Sequence, residues 1–366
     1  MIRRTLPAIL ILLLLSVDLS AEKREKNVES IAKPKLVVLI VVDQMRADHL
    51  TRFAGVYKHG FARLSNEGAV FTDAYHDHAY TVTAAGHATI STGAFPSRNG
   101  IVGNEWFDRS EKKKVYCAED TSAALLGYPE KGAGKGRSPR RLLVPTFGDW
   151  LKSQSPKSKV FGVSRKDRAA IYGTGSKADG AFWYNIDDGN FITSEYYYHK
   201  YPEWVEAFNT SRSVDAFYGK NWQKLMPEEV YFLAREDTFA TEGGGAQTAF
   251  PHSLASKSGK PDQMYYSRLT GTPFLEKLML DFARAMVENE ALGQDEAPDV
   301  LVVGCSGADA IGHAYGPLSQ ESMDYFLRLD RNLGDFFAFL DKKISKENYI
   351  TVLSSDHGVL PMPEEL

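Results

Sequence analysis

Cysteine is almost missing from this sequence: 366 residues contain two, Cys117 and Cys305. Two cysteines form at most one disulfide, which excludes a disulfide scaffold and a cysteine-built zinc site. Basic charge is not in excess either. The 43 Lys and Arg stand against 47 Asp and Glu, a net charge of -4, so a global footprint for nucleic acid is absent. Beyond the N-terminus no apolar run is long enough to span a bilayer. No G-x-S-x-G elbow occurs, so a serine α/β-hydrolase is not expected. The basic stretch 131–141 looks superficially like a phosphate loop. Gly134-Lys135 is followed by Gly136 rather than Ser or Thr, and no strand precedes it, so it reads as a surface loop. Internal repeats are absent.

What is present is ordinary globular composition, with 43% hydrophobic and 25% charged residues. The length corresponds to about two domains, or to one large domain carrying an insertion. Arg3 and Arg4 precede an apolar run from Leu6 to Val17, and Ser20 and Ala21 follow. This is the pattern of a secretory signal peptide over residues 1–21, and it places the chain in a periplasm or outside the cell. An uncleaved N-terminal anchor is the alternative.

Leu36 to Val42 is a continuous β-branched run, as expected of a strand buried on both faces. Val160–Val163, Val300–Val303 and Tyr349–Leu353 are shorter runs of the same kind. Helical periodicity appears over Phe274–Val287 and Met323–Leu340. The alternation predicts an α/β fold, a mostly parallel central sheet with helices on both faces. Its ligand crevice lies beyond the carboxyl ends of the strands. The aromatic-rich stretch 169–264 reads as an inserted cap or as an ordinary aromatic surface subdomain, leaving 34–168 and 265–366 as the core. Asp187-Asp188-Gly189-Asn190 reads as a hairpin turn inside that cap.

Polar residues follow each core strand. Asp43 follows the first, Asp309 and His313 follow the run ending at Val303, and Asp356 and His357 follow the run ending at Leu353. Singly, each aspartate has a plain reading as a cap or turn residue. Together the fold sends them to one crevice, and carboxylates with imidazoles suit zinc. Two such clusters suit two metals about 4 Å apart and displacement at phosphorus. Thr83 opens a small-residue helical stretch, where amides and the helix dipole favour anions. Its hydroxyl is placed to attack, or simply to serve as an N-cap. His76-Asp77-His78 reads as surface, His87 as a structural residue behind Thr83, and Cys305 as a buried small residue. Lys166 and Arg168 follow the run Val160–Val163. In an extended segment both can aim the same way, into the crevice, where two cations favour a monoester over a diester; taken alone, the charged stretch also reads as a solvated loop.

Asp43, T-x-x-G-H at Thr83–His87, Asn104, D-x-x-x-H at Asp309 and D-H at Asp356 together resemble the alkaline phosphatase superfamily. The resemblance is to the type I phosphodiesterase and nucleotide pyrophosphatase branch, most of all to its PafA-type alkaline phosphatases, and runs from Leu36 to Gly358. It implies an alkaline-phosphatase-like fold and two Zn2+ ions. By resemblance Thr83 is the nucleophile and Asn104 donates to a phosphate oxygen. Asp43, Asp356, His357 and the Thr83 oxygen hold one zinc, while Asp309 and His313 hold the other. The S-x-K-D-R context of Lys166 and Arg168 implies monoester substrates. The expected activity is zinc-dependent hydrolysis of small phosphate monoesters through a phosphothreonine, with phosphodiesterase activity as the alternative. The superfamily completes its second zinc with a later histidine. This sequence ends nine residues after His357, so a C-terminally truncated core and a catalytically incomplete remnant are expectations too.

Overall fold

The computed structural model describes residues 33–128 and 136–365. The signal-peptide reading falls outside the described residues, and so does part of the basic stretch 131–141. Among the described residues no helix is long and apolar enough to cross a membrane.

Six strands form the central sheet: β1 (Leu36–Val42), β2 (Val160–Ser164), β3 (Gly180–Tyr184), β4 (Phe191–Ile192), β5 (Asp299–Cys305) and β6 (Tyr349–Ser354). Their spatial order is β6-β1-β5-β2-β3-β4. All neighbours pair in parallel except β3 and β4, which are antiparallel. The β-branched runs predicted as strands form β1, β2, β5 and β6. In β1 and β5 nearly every residue is buried, because helices cover both faces. At the β6 edge Ile350 and Val352 are exposed.

Five helices place the chemistry: α1 (Thr83–Thr92), α2 (Asp167–Thr174), α3 (Pro273–Asn289), α4 (Gly307–Tyr315) and α5 (Gln320–Ile344). The apolar stripes of α3 and α5 pack into the main core. Ser319 caps α5 by accepting from the Ser322 amide at 3.0 Å.

The stretch expected as a cap from residue 169 begins inside the sheet layer. Helix α2 and strands β3 and β4 belong to the sheet layer, and the aromatics Phe182, Trp183 and Tyr184 are buried sheet residues. The hairpin over 187–190 joins β3 to β4. Only after Ile192 does the chain leave the sheet. Residues 193–197 still lie against residues 124–126; beyond them the chain packs on the flank formed by α3 and α5 and, around Arg235, on α4. Phe282 of α3 stacks on Phe191 at 4.1 Å and meets Trp204 and Phe208 at 5.0 Å each. Trp222 Nε1 donates to Asp324 of α5 at 2.6 Å. Both cysteines are buried and free.

Candidate active site

Strands β1, β2, β5 and β6 each deliver polar residues beyond their carboxyl ends. Asp43 follows β1 directly, and its amide donates to the Cys305 carbonyl at the end of β5 (3.0 Å). Asp309 sits in the first turn of α4, and His313 lies one turn later, Nε2 to Oδ1 3.3 Å. Asp356 and His357 follow β6. Asp43 and Asp356 are fully buried.

Ligand-type atoms of Asp43, Asp356 and His357 all lie within 4.8 Å of one another, the one such group of three among the described residues. Neither Asp43 oxygen has a well-aligned hydrogen-bond donor, nor does Asp356 Oδ2. Instead Lys166 Nζ lies 2.7 Å from Asp43 Oδ2, and His357 Nε2 lies 3.3 Å from Oδ1. Asp309 stands just outside this group, 4.0 Å from His357 Nε2. Asp309 and His313 thus adjoin the triad without completing a second group of three. Buried carboxylate oxygens that face only cations, beside an imidazole, are a donor set that fits a divalent metal.

The electrostatics follow from this crowding. Burial opposes the charge of Asp43, yet Lys166 and His357 hold it well below the usual carboxylate range. Burial also opposes a charge on His357, but Asp43 and Asp356 lift it to about 9. Asp309 is lowered despite burial, through its bond to His313 and the charge of Lys166. His313 is raised, first by its bond to Asp309.

Thr83 is the first residue of α1, not its N-cap. Val82 holds the cap position in extended backbone and makes no side-chain bond. The orphan amide of Ala84 is satisfied instead by Asn104 Oδ1 at 2.9 Å. That contact leaves the Thr83 hydroxyl out of capping, and it accepts from Lys166 Nζ at 3.0 Å. With the Asn104 oxygen committed to the helix, only its Nδ2 can serve a phosphate oxygen. His87 links the helix to the carboxylates: Nδ1 lies 3.0 Å from the Thr83 carbonyl and 3.1 Å from Asp356 Oδ2. Gly86 allows α1 to approach, since a Cβ there meets the Asp356 carbonyl oxygen at 2.1 Å.

Lys166 ties the parts together. Its Nζ is also 2.7 Å from Asp309 Oδ2. The predicted same-side geometry of Lys166 and Arg168 is corrected, because the chain turns helical at Asp167 and loses its period of two. Lys166 becomes the N-cap of α2, and Arg168 lies in its first turn. The Arg168 guanidinium donates to the Tyr116 hydroxyl at 3.2 Å. Tyr116 in turn donates to Asp167 at 2.5 Å. His76 hydrogen-bonds the Ser355 carbonyl at 2.6 Å, one residue before Asp356, and stands apart from the triad. Sequence reasoning missed Gln44, whose side-chain amide reaches Asp309. Its only signal was adjacency to Asp43.

A parallel sheet whose strand ends gather acids and histidines against a helix-borne threonine defines an alkaline-phosphatase-like α/β fold. Residues 37–365 match the family model described as type I phosphodiesterase / nucleotide pyrophosphatase, and the chain belongs to that family. It is 40% identical over 356 residues to alkaline phosphatase PhoV of Synechococcus elongatus, covering 94% of this chain and 64% of that protein. It is 40% identical over 338 residues to alkaline phosphatase PafA of Elizabethkingia meningoseptica, covering 91% of this chain and 61% of that one. A crystal structure of wild-type PafA superposes with a TM-score of 0.83 at 39% identity, covering 91% of this chain and 64% of that one. A second PafA structure carries substitutions at a threonine, an asparagine, a lysine and an arginine, and covers 91% of this chain and 65% of that one (TM-score 0.83, 38% identity). The chain therefore spans less than two thirds of the length of these relatives.

Proposed function

We propose that this chain hydrolyses phosphate monoesters, with Thr83 as the nucleophile and a phosphothreonine as the intermediate. The observation that carries the reading is the Thr83 hydroxyl. It is released from capping by Asn104 and bonded to the same ammonium that contacts Asp43 and Asp309. The relatives support monoesters, since PhoV and PafA are both named alkaline phosphatases. The four residues substituted in the PafA variant support the site residues. Their types and sequence intervals are those of Thr83, Asn104, Lys166 and Arg168.

Asp43, Asp356, His357 and the Thr83 oxygen would hold one zinc, and Asp309 with His313 would contribute to a second. Zinc bound there supplies Lewis-acid polarisation of hydroxyl and phosphate oxygens. The protein's own groups do the rest. Thr83 Oγ1 gives up its proton and bonds to phosphorus as the ester P–O bond breaks and the alcohol leaves. Water then bonds to phosphorus from the opposite side, the Thr83–phosphorus bond breaks, and the hydroxyl is restored. Lys166 stabilises the negative charge that Thr83 develops, and Asn104 Nδ2 donates to a phosphate oxygen. Arg168 serves the additional ionised oxygen of a monoester. The apolar N-terminal segment supports a periplasmic or secreted location.

One observation favours diester hydrolysis as a second reading: Arg168 bonds Tyr116 rather than reaching Thr83. Zinc-loaded chain assayed on p-nitrophenyl phosphate and bis-p-nitrophenyl phosphate separates the two. The monoester is expected to turn over faster, and the Lys166→Ala/Arg168→Ala chain to lose monoester turnover far more than diester turnover. A faster diester, or equal losses on both, refutes the monoester assignment.

A further inference from the structure

Gln44 directly follows Asp43 and is buried, yet it carries no charge and ligates nothing. Its backbone is left-handed, with φ 65°, a region that residues with a Cβ avoid. Two hydrogen bonds depend on that conformation. The Gln44 amide donates to Asp356 Oδ1 at 3.1 Å, and its side-chain Nε2 donates to Asp309 Oδ1, also at 3.1 Å. The side-chain amide must present nitrogen to Asp309, because a carboxylate only accepts. Its Oε1 then faces Gly312 in the middle of α4. A Cβ on Gly312 meets Gln44 Oε1 at 2.0 Å. Glycine inside a helix of nine residues is locally unfavourable. A strained glutamine and a helix-weakening glycine therefore meet at one contact, and that contact holds Asp309. Local rules broken together at one point mark a position set by function.

We propose that Gln44 is a positioning residue that fixes Asp309 relative to Asp356, and so sets the separation of the two ligand clusters. Its backbone holds one carboxylate and its side chain holds the other, without adding a charge that competes with a cation. Gly312 is the space that lets it do so. This inference rests on the metal reading above.

The test uses the full chain, zinc as the probe, and three variants: Gln44→Gly, Gly312→Ala, and both together. Gln44→Gly keeps the backbone bond to Asp356 and relieves the left-handed strain, so the zinc-free chain should melt no lower than the parent. Zinc at the Asp309 side should weaken by about 10–100-fold, the usual effect of losing a group that orients a ligand. Gly312→Ala should weaken zinc similarly and also lower the melting temperature by crowding the amide. In the double variant the methyl added at position 312 fills the space that the Gln44 side chain vacates, so stability returns while zinc stays as weak as in either single variant. Zinc affinity unchanged in Gln44→Gly, or restored in the double variant, overturns the proposal while the metal reading stands. A parent chain that binds no zinc overturns the metal reading and this inference with it.

Discussion

Replacing Glu276 by glutamine should stabilise the zinc-free chain near pH 8 and leave it nearly unchanged near pH 4.5. Glu276 lies on α3 and is almost fully buried beneath the N-terminus of α4, the helix that carries Asp309 and His313. Its Oε1 accepts from the Gly307 amide at 2.5 Å, while Oε2 and the neighbouring Tyr325 hydroxyl have no aligned partner. Burial dominates and lifts the carboxyl from 4.5 to about 7, with the Gly307 amide and Arg165 opposing. Below 4.5 both folded and unfolded chains carry the proton, so the group contributes nothing adverse. Between 4.5 and 7 unfolding releases a proton, and stability falls as pH rises. Above 7 the whole loss persists. At about 1.4 kcal/mol per tenfold change in proton affinity, that loss is about 3 kcal/mol. Glutamine keeps the acceptor for Gly307, offers its amide hydrogens to Tyr325, and never ionises. The assay is denaturant unfolding of parent and variant from about pH 4.5 to about 8, compared as the difference between the two stability curves. The difference should grow through that window to about 3 kcal/mol in favour of glutamine. Parallel curves, or a variant less stable at high pH, would show that Glu276 does not carry a raised carboxyl in the folded chain.

Gly86→Ala adds helix propensity to α1 but drives a methyl into the Asp356 carbonyl. Stability should fall by about 1–3 kcal/mol, and zinc titration should show weaker binding because Asp356 is displaced. Phe282→Ala empties the centre of the cluster that joins Phe182, Phe191, Trp204 and Phe208. It should cost about 3–5 kcal/mol by denaturant unfolding. A loss well under 1 kcal/mol would show that the flank packs independently of α3.

The parts of the fold legible in the sequence were those where burial imposes composition. β1, β2, β5 and β6 announced themselves as β-branched runs, and α3 and α5 as apolar stripes. That strand β3 belongs to the central sheet was hidden because Phe182, Trp183 and Tyr184 look alike in a cap and in a sheet interior; only pairing with β2 distinguishes them. The site was legible where a strand end fixes a residue, as for Asp43, Asp309 and Asp356. It was not legible where geometry depends on a distant contact. Asn104 takes over capping from Thr83 across a loop, and Gln44 grips Asp309 from the far end of the chain. Lys166 and Arg168 were expected to point the same way, but that shared direction was lost when Asp167 began a helix. A period of two holds only while the backbone stays extended.

Trapping the intermediate tests most directly the proposal that Thr83 carries the phosphoryl group. Zinc-loaded chain is mixed with a phosphate monoester and quenched in acid, where a phosphothreonine ester survives, and the peptides are mapped by mass spectrometry. Phosphate is expected on Thr83 in the parent and none in Thr83→Ala, which should still bind zinc. Turnover in Thr83→Ala at the parent's rate, or phosphate trapped on a residue other than Thr83, would contradict it.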